Sequence, residues 1–202
     1  MNIILPVPQI LQKPELPNGC EITSLCEILN YLGFAADKCD LADHYLPRSK
    51  EWFGTDPDEM YMGDPHKEDG SPEEGYYCFA GPIVKAARSY LSVAGSSDWE
   101  PIDLTGCEQE TLEECLKQGM PFIFWASLHF QDIRFDKCGG YELPGGRYHR
   151  VFNTLHCMVC CGMDEEHFYI ADPLDYNEKV EKAQFMKVFR QLGSRAVILK
   201  KK

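Results

Sequence analysis

The sequence has no long apolar stretch and no basic leader. Its longest apolar run, PFIFWASL at 121–128, has the length of a strand and falls well short of the roughly 18 residues of a membrane span. The first ten residues, MNIILPVPQI, are interrupted by Pro6 and Pro8, which is not typical of a secretion signal. We therefore predict no membrane span and a cytoplasmic location for the chain as given, with secretion as the alternative if a signal had been removed.

Basic residues are scarce. The chain has 20 lysines and arginines against 32 acidic residues, which gives a net charge of −12. A nucleic-acid-binding protein needs a basic face to displace counterions from phosphate, and adhesion to an anionic membrane needs the same sign of charge. The charge balance therefore argues against both partners. It favours a cationic or neutral partner, although a charge excess is most often a solubility feature.

The ten cysteines amount to about 5% of the 202 residues, which is too few for a disulfide scaffold. Two of them are adjacent in an apolar strand pattern, so we expect reduced thiols, as in the cytosol. The stretch HCMVCC at 156–161 suggests a zinc site, but Cys157 and Cys160 would point to opposite faces of a strand. Cys157 and Cys161 share a face but would lie about 13 Å apart. We predict no metal and no cofactor.

Hydrophobic periodicity predicts an α+β fold in a single domain that spans residues 1–202. Asn18 and Glu21 form a capping-box pattern at the start of a first helix, which ends at Gly33. Helices come first and mostly antiparallel strands follow, as is typical of the α+β class. The further predicted elements are helices at 81–92, 110–118 and 181–191, strands at 121–128, 156–163, 167–171 and 195–201, and a long loop at 129–154.

Residues 51–75 form an acidic segment. They contain nine acidic residues and one lysine, and Pro, Gly and Asp recur among them, so we predict an exposed loop insertion or lid. The simpler interpretation is a solvated loop. The functional alternative is the rim of a binding cleft that favours cationic peptides.

Cys20 is placed differently from the other cysteines. It lies in the first turn of the first predicted helix, where free backbone N–H groups and the helix dipole favour a thiolate by roughly 0.3–1 kcal/mol. Most cysteines are inert buried side chains, and Cys26 already occupies a core position of the same helix. Cys20 precedes the apolar stripe, so its position favours reactivity.

His156 and Asp172 provide a second functional signal. If DEE at 164–166 is the turn of an antiparallel hairpin, the two residues face each other across the ladder, with Cβ atoms about 5 Å apart. A slip of one residue in the turn would still leave a diagonal neighbour within reach. A carboxylate fixes the tautomer of a histidine and stabilises its imidazolium form. Such a pair alone is more often a structural hydrogen bond. Together with Cys20 it indicates a nucleophile, a base and an orienting acid.

These residues belong to a recognisable pattern. The stretch PVPQILQKPELPNGCEITSLCEILNYLG resembles the start of the papain-like cysteine peptidases of family thirty-nine, the bacteriocin-leader peptidases of bacteria, and is closest to their soluble stand-alone branch. Further along the chain, GDP at 63–65, HCMV at 156–159 and ADPL at 171–174 follow in the order of that family. The chain departs from the pattern at Leu155, where relatives commonly carry an acidic residue, and in its cysteine-rich strand.

The resemblance implies a papain-like fold in which the N-terminal helix packs on an antiparallel β-sheet. It implies that Cys20 is the nucleophile, His156 the general base and acid, and Asp172 the orienting carboxylate. Gln12 would donate to the oxyanion hole together with the backbone N–H of Cys20. The implied activity is hydrolysis of peptide, isopeptide or amide bonds through a thioacyl intermediate, without a cofactor.

Two other functions stay open at this point. The same triad can pass its acyl group to an amine, which would make the protein an acyl- or peptidyl-transferase. Related domains can also lose catalysis and keep peptide binding. In each case the expected partner is a peptide or protein bound in a cleft, and the residues give no prediction of the oligomeric state.

Overall fold

The computed structural model describes residues 2–174 and 177–202. The five α-helices in this part of the chain are α1 (Cys20–Tyr31), α2 (Lys38–His44), α3 (Ala80–Val93), α4 (Gln109–Lys117) and α5 (Lys182–Gln191), with a short 3-10 turn at Leu128–Phe130. The strands are β1 (Ile3–Ile4), β2 (Trp99–Asp103), β3 (Phe122–Ser127), β4 (Phe135–Glu142), β5 (Tyr148–Phe152), β6 (Leu155–Met163), β7 (His167–Ala171), β8 (Glu178–Glu181) and β9 (Ala196–Lys201).

The main sheet has seven strands. Six of them follow the order β2-β9-β3-β6-β7-β8, and β1 pairs with β6. Every pairing is antiparallel. Strands β4 and β5 form a separate hairpin. The mixture of helices with an antiparallel sheet is the predicted α+β class.

The central strands β3 and β6 are mostly apolar because both faces of the sheet are covered. Along β3, Ile123 and Trp125 belong to one core, and Phe122 and Phe124 belong to the other. The first core holds the buried faces of α1 and α3, and the second holds those of α4 and α5. Side chains alternate along a strand, so a strand between two helical layers needs apolar residues at every position. This burial fixes β3 and β6 beneath α1.

The predicted loop at 129–154 is wrong, because most of this segment forms the β4–β5 hairpin. Strand β4 is glycine-rich and largely exposed, so it lacks the alternation by which a strand is recognised in sequence. Gly140 is needed where the two strands meet, since a Cβ there would lie 2.1 Å from the carbonyl oxygen of His149. Buried Tyr141 and Val151 attach the hairpin to the first core.

Two other elements have weak sequence signals. Helix α2 is only seven residues long, and the side chain of Asp37 caps it by accepting the backbone N–H groups of Cys39 and Asp40, each at 2.9 Å. Strand β2 contains Pro101 and forms only because β9 lies beside it. No helix in the described part of the chain is both long and apolar enough to cross a membrane.

The acidic segment 51–75 contains exposed residues on both sides of a buried middle. Tyr61 and Met62 are completely buried in the first core. Gly63 lies so close to Glu74 that a Cβ would be 2.0 Å from its carbonyl oxygen. The expectation of an exposed segment therefore fails for these central residues, because they fill space beside the start of α1.

Candidate active site

A cleft of about 430 Å³ opens beside the start of α1. Gln12, Cys20 and His156 all line it, and Asp172 lies directly behind the imidazole of His156. Four separate segments therefore bring the predicted site residues together. The other lining residues are Lys13, Pro17, Asn18, Glu68, Glu74, Gly75, Tyr76, Tyr77, Leu128, Asp136, Phe152, Asn153, Leu155 and Leu174.

Cys20 is the first residue of α1, and the predicted cap at Asn18 is wrong. Gly19 occupies the N-cap position, and no side chain caps the helix. Asn18 instead forms hydrogen bonds with the acidic segment. Its Nδ2 donates to the carbonyl oxygen of Lys67 at 2.9 Å, and its backbone carbonyl oxygen accepts the hydroxyl of Tyr61 at 2.6 Å. Gly19 leaves no room for a side chain, because a Cβ would lie 2.6 Å from that of Leu16.

His156 and Asp172 form a close buried pair. Nε2 of His156 lies 2.7 Å from Oδ1 of Asp172, and both residues are almost completely buried. A carboxylate can only accept, so Nε2 carries the proton and Nδ1 is the ring nitrogen that can exchange one with a nucleophile. The backbone N–H of Leu174 also donates to Oδ1 of Asp172, at 2.7 Å.

The pair forms diagonally and not directly across the ladder, which is the alternative that a slip in the turn predicts. Val159 opposes Ala171, which is the last residue of β7, so Asp172 follows the end of the strand and has no ladder partner. The turn places the carboxylate within reach of His156 from this diagonal position. The amide oxygen of Asn177 accepts the backbone N–H of Asp172 at 2.9 Å and helps to hold it there.

Gln12 is buried at the wall of the cleft. Its Nε2 donates to the carbonyl oxygen of Pro17 at 2.6 Å, and its Oε1 has no hydrogen-bond partner among the described residues. The backbone of Gln12 is also fixed, because its N–H donates to the carbonyl oxygen of Pro173 at 2.9 Å and its carbonyl accepts Nζ of Lys38 at 3.1 Å. An amide nitrogen carries two protons, so one of them stays available beside the cleft.

The helix position of Cys20 does not by itself favour a thiolate. Burial raises the pKa of the Cys20 thiol well above its ordinary value, the charge of Glu21 raises it further, and the backbone N–H of Cys157 acts in the opposite direction. The side chain is only 7% exposed, and burial outweighs the small contribution of a helix start. The start of α1 alone therefore does not stabilise a thiolate at Cys20, and the imidazolium of His156 would have to do so.

Glu21 is the hydrogen-bond partner of the nucleophile candidate. Sγ of Cys20 lies 3.2 Å from Oε2 of Glu21, and Oε1 of Glu21 accepts the backbone N–H of Cys78 at 3.0 Å. Glu21 is completely buried, and this burial raises its pKa to about 7. Sequence reasoning assigned Glu21 to a capping box and missed this contact. The available signal was its spacing of four and seven residues from Leu25 and Ile28, which places it on the apolar face of α1.

The rest of the cleft is aromatic and acidic. Tyr77 holds one wall, since its hydroxyl accepts the backbone N–H of Phe152 at 3.0 Å and lies 2.9 Å from Nε2 of His149. The charged side chains are Glu68, Glu74, Asp136 and Lys13. In the described part of the chain, no three His, Cys, Asp or Glu side chains converge as a metal site would require.

Comparison with known proteins gives the family. The Peptidase_C39 like family matches residues 4–197. The chain belongs to this family. The uncharacterized protein YvpB of Bacillus subtilis (strain 168) is 30% identical over 196 residues, which cover 95% of this chain and 72% of that protein.

Two solved structures share the fold. A crystal structure of a Bacillus anthracis protein described as a C39-like peptidase has a TM-score of 0.84 and 31% identity, and the match covers 100% of this chain and 98% of the other. A double glycine motif protease from an AMS/PCAT transporter, crystallised in complex with the leader peptide, has a TM-score of 0.52 and 18% identity, with 100% and 99% covered. The predicted family and the predicted α+β fold are thereby confirmed, and both support a peptidase-like function.

Proposed function

We propose that this protein is a cysteine peptidase that hydrolyses peptide bonds through Cys20, His156 and Asp172. The observation that carries the proposal is the buried contact of 2.7 Å between His156 and Asp172, at a cleft that Cys20 also lines. Three residues from α1, β6 and the end of β7 meet there, and this is the set that thiol-dependent acyl transfer needs. The family and the two structural neighbours support the same reaction class.

The reaction would begin with proton transfer from Sγ of Cys20 to Nδ1 of His156. The thiolate then attacks the carbonyl carbon of the substrate, and the oxyanion that forms accepts hydrogen bonds from the backbone N–H of Cys20 and the amide of Gln12. The imidazolium returns its proton to the leaving amine as the C–N bond breaks, which leaves a thioester on Cys20. Water, deprotonated by His156, attacks the thioester and restores the thiol.

The cleft also supports a peptide as the substrate. Its walls combine the rings of Tyr76, Tyr77 and Phe152 with backbone groups, a lining that suits an extended chain with side chains on both sides. The leader peptide bound by the transporter protease is consistent with this substrate class. Glu74 and Asp136 add negative charge at the rim, so we propose a preference for neutral or cationic peptides.

A non-catalytic peptide-binding domain is the second candidate function. One observation favours it: the thiol of Cys20 donates to Glu21 in the resting structure, and its pKa is raised. A domain of this kind would use the same cleft and would leave Cys20 inert.

Alkylation separates the two candidates. We expect iodoacetamide at pH 6 to label Cys20 at least about tenfold faster than the exposed Cys138, because an ordinary thiol is almost fully protonated at that pH. We also expect His156→Ala to slow the labelling of Cys20 and to leave Cys138 unchanged. Peptide mapping of the labelled chain measures both rates. Labelling of Cys138 ahead of Cys20, with no effect of His156→Ala, would favour the binding domain.

Gln12 provides a separate test of the oxyanion hole. We expect Gln12→Ala to lower kcat by about 10²–10³ with little change in KM, because the lost hydrogen bond forms only in the transition state. The measurement is steady-state hydrolysis of a cleaved peptide. Gln118→Ala, which removes an exposed amide bonded to Glu114 on α4, is the matched control and should leave kcat unchanged. Equal kcat values for the two variants would remove Gln12 from the mechanism.

A further inference from the structure

Glu21 is a buried carboxyl group in contact with the atom that would react. Its Oε2 accepts the thiol of Cys20 at 3.2 Å, and its Oε1 accepts the backbone N–H of Cys78 at 3.0 Å. The reaction sequence above uses neither oxygen. Nothing in the capping of α1 explains the group, because Glu21 points into the first core and not toward the N-cap.

The surroundings of Glu21 contain no positive charge. The titratable groups that face it are Cys20 on α1, Tyr61 of the acidic segment, Cys78 before α3 and Cys157 on β6. Each of these groups is neutral when protonated and anionic when it titrates. No lysine, arginine or histidine in the described part of the chain forms an ion pair with Glu21.

The charge of Glu21 therefore decides whether the sulfur of Cys20 can be a thiolate. An ionised Glu21 accepts the S–H hydrogen bond and would repel a thiolate at a distance of 3.2 Å in a site that water does not screen. A neutral Glu21 can turn its own O–H toward the sulfur and donate to a thiolate, while its other oxygen still accepts the N–H of Cys78. Only the neutral form is compatible with a thiolate–imidazolium pair.

We propose that Glu21 controls the nucleophile, so that Cys20 becomes a reactive thiolate only while Glu21 is a neutral carboxylic acid. This inference rests on the proposed function, since it assigns a role in the same site. In the active state the proton of Cys20 lies on Nδ1 of His156, and Glu21 keeps a proton taken from solvent. When Glu21 loses that proton, Cys20 regains its own from His156, and the site returns to the resting hydrogen bond.

The inference predicts a loss of reactivity near neutral pH. Burial raises the pKa of Glu21 to about 7, so the neutral form dominates at pH 6 and makes up about one tenth at pH 8. Labelling of Cys20 should therefore fall about tenfold from pH 6 to pH 8. An ordinary exposed thiol such as Cys138 should behave in the opposite way, because its thiolate fraction rises over the same range.

The test is the rate of iodoacetamide labelling at Cys20, measured by peptide mapping between pH 6 and pH 8 in wild type and Glu21→Gln. The amide keeps an oxygen for the N–H of Cys78 and always presents N–H groups to the sulfur. We expect the variant to match wild type within about twofold at pH 6 and to label about tenfold faster at pH 8. Glu110→Gln changes an exposed carboxyl in the first turn of α4, away from the cleft, so the pH profile of Cys20 labelling should stay the same as in wild type.

Three results would overturn the inference. The first is that wild type and Glu21→Gln have the same pH profile, while Cys20 still labels first at pH 6 and His156→Ala still slows this labelling. The proposed function would then be retained, and Glu21 would have no role in it. The second is that the labelling rates of Cys20 and Cys138 in wild type rise in parallel from pH 6 to pH 8. This result would overturn the inference even if Glu21→Gln does not fold. The third is an inert Cys20 at every pH, which would remove the proposed function as well.

Discussion

Replacing Cys20 by alanine is expected to abolish peptide hydrolysis, with a loss of about 10⁴–10⁶-fold in kcat. The reason is that no other described group at the cleft can form the acyl intermediate: the imidazole of His156 is held by Asp172 as a base, and the neighbouring Tyr77 hydroxyl is occupied by Phe152 and His149. The measurement is the cleavage of a mixed peptide library, followed by mass spectrometry.

The matched control for this variant is Cys26→Ala. Cys26 lies on the same helix and is equally buried, but its sulfur contacts Asn30 and the carbonyl oxygen of Ala36, away from the cleft. We expect this variant to keep its activity, and both variants to fold. Cleavage that persists in Cys20→Ala would rule out the thioacyl mechanism. Added amine that diverts the products to new amides would instead indicate transfer by the same nucleophile.

Replacing Glu27 by glutamine is expected to stabilise the fold at high pH by on the order of a few kcal/mol. Glu27 is completely buried in α1, where one oxygen accepts the backbone N–H of Ile10 at 2.9 Å and the other has no partner among the described residues. Burial, with a smaller contribution from the charge of Asp172, raises its pKa from 4.5 to about 8, against the N–H of Ile10, which lowers it. Folding therefore favours the protonated carboxyl.

The sign of the effect follows from the two pKa values. The folded-state pKa of Glu27 lies above its unfolded value, so its contribution to stability is fully present below pH 4.5 and is lost as the pH rises through about 8. A glutamine has no proton to lose, so the variant should equal wild type near pH 4.5 and exceed it at pH 9. At low pH the protonated Glu27 of the folded wild type and the glutamine of the variant are both neutral, and each can accept the N–H of Ile10.

Urea unfolding at pH 4.5 and pH 9 measures this difference. The control is Glu110→Gln, a change at an exposed carboxyl in the first turn of α4, which should shift both curves equally. If wild type and Glu27→Gln lose stability in parallel as the pH rises, Glu27 does not titrate in the folded state as its burial requires. The outcome also bears on the site, because the bond to Ile10 anchors the chain that leads to Gln12.

Several elements could be predicted because their signal is local. The helices α1, α3, α4 and α5 follow the periodicity of their own residues, and β3, β6, β7 and β9 are recognisable as short apolar runs between turn residues. The candidate site could also be predicted from the sequence, since Gln12, Cys20, His156 and Asp172 belong to motifs of a known family. Their convergence at one cleft agrees with that pattern.

Other features depend on contacts between distant parts of the chain. Strand β2 exists because β9 pairs with it from about a hundred residues away, and the β4–β5 hairpin exists because glycines allow two exposed segments to approach. Asn18 looked like a cap, but the loop that carries Lys67 takes up its side chain. Local residue propensity alone cannot predict these contacts, because the strand or loop that makes them lies elsewhere in the sequence.

The sequence by itself therefore determined the family and the α+β class, and it provided the four candidate site residues, since these depend on residue types in a fixed order. Only the tertiary structure decided the state of those residues. Burial, together with the charge of Glu21, raises the pKa of Cys20, and burial among Tyr61, Cys78 and Cys157, from three distant segments, raises the pKa of Glu21. Burial is a property of the assembled packing, and the protonation of a buried group follows from it.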